Sequence, residues 1–159
     1  MSRSSAATAM ISVASIDSRS QTIHQQHILR VTTRGKSLQD ITSAIAELVA
    51  RSGVVTGLCS LFVQHTSASL IVQENADSDV LRDLETFLAN LAPETASYRH
   101  SAEGPDDMPA HIRTALTHTS EQIPIVRGQL GLGLWQGIYL WEHRQHGRTR
   151  EVVVHIMGG

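Results

Sequence analysis

Only one cysteine, Cys59, occurs in the 159 residues, so no disulfide can close within the chain, which fits a reducing compartment. Aromatic residues make up only 4% and no basic stripe interleaves with them. With a formal charge of −2, the electrostatic case for nucleic acid or an anionic membrane disappears. No run approaches the roughly 18 apolar residues that span a bilayer. A cytoplasmic protein with neither nucleic-acid nor membrane partners is expected. The first 21 residues are rich in Ser and Ala and poor in acids, but lack the continuous apolar centre of a secretory signal. They resemble an organellar transit peptide only weakly and are expected to form a disordered or accessory tail. No Gly-rich loop with a Lys is present to cradle phosphate. No G-x-S-x-G elbow surrounds Ser67, which argues against an acyl nucleophile there.

What is present suffices for one domain over residues 22–159, since 41% of the chain is hydrophobic. Thr22 to Thr33 is rich in β-branched residues and predicts a strand. Ser37 looks like an N-cap, and Leu38, Ile41, Ile45, Leu48 and Val49 recur at helical spacing as far as Gly53. Val54 to Gln64 alternates, with Cys59, Leu61, Val63 and His65 on one face, and Cys59 reads as a core residue. After a short strand at Ser69 to Gln73, a helix is predicted from Asp77 to Leu91, with acids at the positive end of its dipole. Tyr98 to Asp107 reads as a loop. Pro109 fits the opening turn of a short helix through Thr117, with Asp106 and Asp107 as caps. Strands at Gln122 to Val126, Leu134 to His143 and Thr149 to Met157 complete an α+β sandwich of helices on a mixed or antiparallel sheet.

The stretch from Cys59 to Asp83 is where function concentrates. An apolar strand delivers His65, Thr66 and Ser67, and a second leads into Glu74, Asn75, Asp77 and Asp79. Imidazole, hydroxyl and carboxylate groups at a strand end help no core, so they read as a site. Nine histidines titrate near neutrality. His65, His100 and His111, from separate elements, would hold Zn²⁺ and leave a position open if they converged. His24, His27 and His118 read as turn caps or backbone partners, and His155 as an outer-face strand residue. His143 and His146 either face solvent or line a cleft. Glu74 would orient a histidine or take a proton. Thr66 and Ser67, with Arg148 or Arg150, would receive phosphate.

Three strings, QHTSASLIVQENAD, YRHSAEGPDDMPAHIRTALTHTS and IPIVRGQLGLGLWQGIYLWEHRQHGRTREVVV, resemble the YjbQ family of small bacterial and archaeal proteins, also described as secondary thiamine-phosphate synthase enzymes. The resemblance covers roughly residues 20 to 158. It implies a single-domain β-sandwich with covering helices, assembled as a homotrimer with clefts near subunit boundaries. It points to His65, Thr66, Ser67, Glu74, Asn75, His100 and His111 as the site, with Asp77, Trp135 and Gln136 nearby. The implied activity is a weak joining of hydroxymethylpyrimidine diphosphate to thiazole phosphate with release of diphosphate. In that reaction His65, His100 and His111 would hold a zinc or magnesium ion or the diphosphate, and Glu74 would fix an imidazole. Leu134 and the pair Thr117-His118 depart from the family pattern, at the rim of the expected site. A metal-dependent phosphohydrolase or other small-molecule hydrolase would use the same polar cleft, as would a non-catalytic trimer that binds phosphoryl ligands.

Overall fold

The computed structural model describes residues 22–159, and the expectation of an N-terminal tail lies outside them. Eight strands and three helices follow in the order β1 (Ile23–Thr32), β2 (Ser37–Asp40), α1 (Thr42–Ser52), β3 (Thr56–Val63), β4 (Ala68–Glu74), α2 (Ser78–Leu91), α3 (Asp107–Leu116), β5 (Ser120–Val126), β6 (Gln129–Leu130), β7 (Gln136–Glu142) and β8 (Thr149–Gly158). The strands form two antiparallel sheets, ordered β1-β8-β3-β5-β6 and β2-β7-β4. This is an α+β fold of antiparallel sheet with covering helices.

Alternation decides which face each strand buries. Cys59, Leu61 and Val63 of β3 meet Val152, Val154 and Ile156 of β8 and Ile123 and Ile125 of β5 in one core. Ala68 and Leu70 of β4, Ile138 and Leu140 of β7, and Ile45 and Val49 of α1 close it from the other side. Gly53 ends α1 at φ 77, a left-handed turn that glycine adopts without penalty.

Two local expectations are corrected. Ser37 does not cap a helix: Ser37–Asp40 pairs with Glu142–Tyr139 as β2, and α1 begins only at Thr42. The open edge of β7 offers this segment a complete set of backbone partners, which outcompetes one extra helical turn. Asp40 still serves the helix, accepting the Thr42 amide at 2.9 Å. Asp106 occupies the N-cap position of α3 but makes no side-chain cap, because its carboxylate is held elsewhere. Pro109, the third residue of α3, costs nothing there, since the first amides of a helix lack partners in any case.

Strand β7 positions the polar groups. Its run Gly137 to Trp141 is buried between β2 and β4, and the chain stays buried through Glu142, His143 and Arg144. Charged side chains thus enter the interior at one end of the smaller sheet, where α3 and the loop before it arrive.

Candidate metal centre

Helix α3 begins the site. Asp107 and His111 are one turn apart, so both side chains emerge on the same helix face. His100, in the loop preceding α3, folds back to that face: its Nε2 lies 2.7 Å from Asp107 Oδ2, and His111 Nε2 lies 3.6 Å from the same oxygen. The two imidazole rings are 5.4 Å apart. One ligand atom from each of His100, Asp107 and His111 falls within 4.8 Å of the others, a spacing that suits a metal ion.

His111 and Asp107 are held from behind. His111 Nδ1 is 2.9 Å from the Thr66 carbonyl, so it must carry the proton and donate it, leaving the Nε2 lone pair turned toward Asp107. The other oxygen of Asp107 is bound by Arg144 Nη1. Arg144 also donates from Nε to Asp106 at 3.0 Å and from Nη2 to the Glu103 carbonyl at 2.8 Å. Burial pushes the Asp106 carboxyl up, but the Gln145 amide and Arg144 outweigh this and hold it below the ordinary carboxylate range. One guanidinium therefore serves two buried carboxylates, and the negative charge left over faces two imidazoles. The donor set fits a divalent cation: two imidazole nitrogens, one carboxylate oxygen, one of the imidazoles fixed by a backbone carbonyl, and one formal negative charge in excess. His100 is half exposed, so the site opens to solvent on that side.

Beside it lies a second buried ion pair. Glu142, fully buried, accepts from Arg150 Nη2 at 2.6 Å and Nε at 2.7 Å, from Thr33 Oγ1 at 2.8 Å and from the Arg144 amide at 2.9 Å. Burial alone would raise its pKa, yet Arg150, the Arg144 amide and the Thr33 hydroxyl together lower it. His143 packs next to this pair with Nε2 at 2.8 Å from Ser69 Oγ. Burial, and then the nearby Arg113, lower its pKa to about 3, so it is neutral.

Of the residues expected to converge, His100 and His111 meet and His65 does not join them. His65 Nε2 accepts the Glu151 amide of β8 at 3.0 Å. Burial, then Arg150, lower its pKa and keep it neutral, so its other nitrogen carries the proton and neither is free for a metal. Asp107 takes the place assigned to it. Glu74 and Asn75 lie at the far end of β4, about 20 Å of strand away from Ala68. Glu74 therefore cannot orient an imidazole of this trio within one chain. There Asn75 pairs with the backbone of the Leu134 to Gln136 segment, its amide meeting the Trp135 carbonyl at 3.1 Å. Asp77 caps α2, accepting the Asp79 amide at 2.9 Å. Arg150, expected to receive phosphate, is buried and occupied by Glu142, and its Nη2 also reaches Ser67 Oγ at 3.0 Å. Arg148 and Thr66 are exposed, and the Thr66 carbonyl meets His111.

The residues missed were Asp107, Glu142 and Arg144. The i, i+4 spacing of Asp107 and His111 on a predicted helix was a readable signal. Nothing local marks Glu142 or Arg144, whose roles depend on β7 being buried at its end.

The comparisons agree with this architecture. Residues 27–159 match the family model described as UPF0047 protein YjbQ-like. The UPF0047 protein sll1880 of Synechocystis is 64% identical over 134 residues, covering 84% of this chain and 91% of the relative. The UPF0047 protein YjbQ of Escherichia coli O157:H7 is 38% identical over 134 residues, covering 84% and 97%. Among solved structures, a YbjQ-like protein of unknown function from Sulfolobus solfataricus superposes with a TM-score of 0.81 at 25% identity, over 87% of this chain and all of that one. A YjbQ/UPF0047 protein from Clostridium acetobutylicum gives 0.74 at 38% identity, over 83% and 98%. With the fold, the polar strings and these relatives in agreement, the chain belongs to the UPF0047 family of YjbQ-like proteins.

Proposed function

We propose that the protein is a metal-dependent hydrolase of small substrates, with His100, Asp107 and His111 as the metal ligands. One observation carries the reading: two imidazoles and a buried carboxylate bring their ligand atoms within 4.8 Å of one another on a solvent-open face. A divalent cation bound there supplies a Lewis acid and lowers the pKa of water toward neutrality. The chain's own residues do the rest. The Thr66 carbonyl fixes the His111 tautomer, Arg144 bonds the second oxygen of Asp107, and half-exposed His100 borders the approach for substrate. Thr66 is exposed and its carbonyl meets His111, which supports a role for its hydroxyl in donating to a substrate oxygen.

The thiamine-phosphate synthase reading ranks second. A departing diphosphate needs free cations, and Arg144 and Arg150 are spent on Asp106, Asp107 and Glu142. Assembly as a trimer belongs to the same proposal, supported by apolar side chains left exposed on α2 and near β7: Phe87, Leu91, Leu134 and Trp135.

The test is an activity panel on untagged protein, metal-stripped and then given zinc, manganese or magnesium. It contains phosphomonoesters, carboxylic esters and the pyrimidine diphosphate and thiazole phosphate pair. Metal-dependent hydrolysis that disappears in His111→Ala supports the reading. Joining of the pair without hydrolysis of any ester replaces it with the synthase, and activity unaffected by both stripping and His111→Ala ends both.

A further inference from the structure

Helix α3 has a second working face. Arg113 follows His111 by two residues, about 200° around the helix, so it points away from the metal trio. On that side it lines a cavity of ≈ 440 Å³ between α2, the α2–α3 connection and β7. The volume falls in the range of small-molecule pockets, about 300–1,000 Å³. Trp141, Leu88, Ala89 and Pro93 give it apolar walls.

Arg113 is 6% exposed, yet its guanidinium is largely unanswered. Nη2 donates to the Ala92 carbonyl at 3.1 Å, while Nε is buried without a hydrogen-bond partner. It forms no ion pair among the described residues. A buried cation in this state is costly unless something else neutralises it. Two other charges of the cavity are matched: Lys36 pairs with Glu94, and Glu142 with Arg150. Glu85 lines the same cavity, and burial raises its pKa despite the opposing pull of Arg113. Arg113 thus faces an apolar hollow without an ion-pair partner among the described residues.

We propose that this cavity is a binding site for a small organic monoanion, a carboxylate that accepts from the Arg113 guanidinium and lays an apolar body against Trp141, Leu88 and Pro93. A single carboxylate matches the one guanidinium that lacks an ion pair, whereas a phosphate dianion would meet stronger repulsion from Glu85, Glu94 and Glu142. The site stands apart from the metal trio and does not depend on the hydrolase reading.

Calorimetric titration of the full untagged chain, in EDTA, with benzoate, phenylacetate and hexanoate tests this, with inorganic phosphate as the contrasting anion. At least one carboxylate binds, phosphate binds more weakly, and Arg113→Gln lowers the carboxylate affinity by about thirtyfold. His111→Ala leaves that affinity unchanged, which separates this site from the metal centre. Without ligand, Arg113→Gln is at least as stable as the parent, because it removes a buried cation that has no ion pair among the described residues. If that variant does not fold, Ala89→Trp fills the cavity from the exposed side of α2 and abolishes binding. Failure of all three carboxylates to bind, phosphate binding as tightly as they do, or affinity that survives both variants would overturn the proposal.

Discussion

Acid should weaken this fold through His143. The residue is 1% exposed at the end of β7, with its ring 5.3 Å from Trp141 and its Nε2 bonded to Ser69. Burial, and then Arg113, bring its pKa from 6.5 to about 3. Between those values the unfolded chain binds a proton that the native state refuses. The stabilisation is therefore complete above the unfolded value and is lost as pH falls below it, at up to ~1.4 kcal/mol per pH unit. Going from pH 8 to pH 5 should remove ~2 kcal/mol through this residue alone. His65, lowered in the same direction, adds to the loss. Glu142 and Asp106, both held below the ordinary range, lose their contributions only as pH falls through lower values. Urea denaturation of the parent and of His143→Gln at pH 8, 7, 6 and 5, with EDTA present to remove metal linkage, isolates the effect. The variant should lose about 2 kcal/mol less than the parent across this range. Equal losses in the two proteins would refute the reasoning.

Three further outcomes follow from the packing. Glu142→Gln leaves Arg150 buried without its counter-ion and should cost about 3–5 kcal/mol in the same denaturation assay. A Cβ at Gly57 would stand 2.0 Å from the Met157 carbonyl oxygen of β8, so Gly57→Ala should destabilise by about 1–3 kcal/mol, seen as a lowered Tm. Cys59 is fully buried, and burial pushes its thiol up to about 11, so Ellman's reagent should label it only at the rate of unfolding.

The strands and helices were largely legible because their signals are periodic. Alternation through Cys59, Leu61 and Val63 and the helical recurrence of Ile45 and Val49 each name a buried face that the structure keeps. Ser37 misled because its capping signal is local, while its pairing with Glu142 joins residues far apart in the chain. The site divides the same way. Asp107 and His111 share a helix face by spacing alone, but His100 reaches them only through the loop, and Arg144 only because β7 carries it inward. His65 looked equivalent to the other histidines by composition. What separates it is one backbone amide, that of Glu151, supplied by the final strand.

Metal content bears most directly on the central claim. Untagged protein dialysed against trace zinc and analysed by inductively coupled plasma mass spectrometry should carry about one ion per chain. Asp107→Asn and His111→Ala should each reduce this to near zero, while His65→Ala and Glu74→Gln retain it. Metal-free parent protein, or loading that follows His65 and ignores Asp107, would contradict the account.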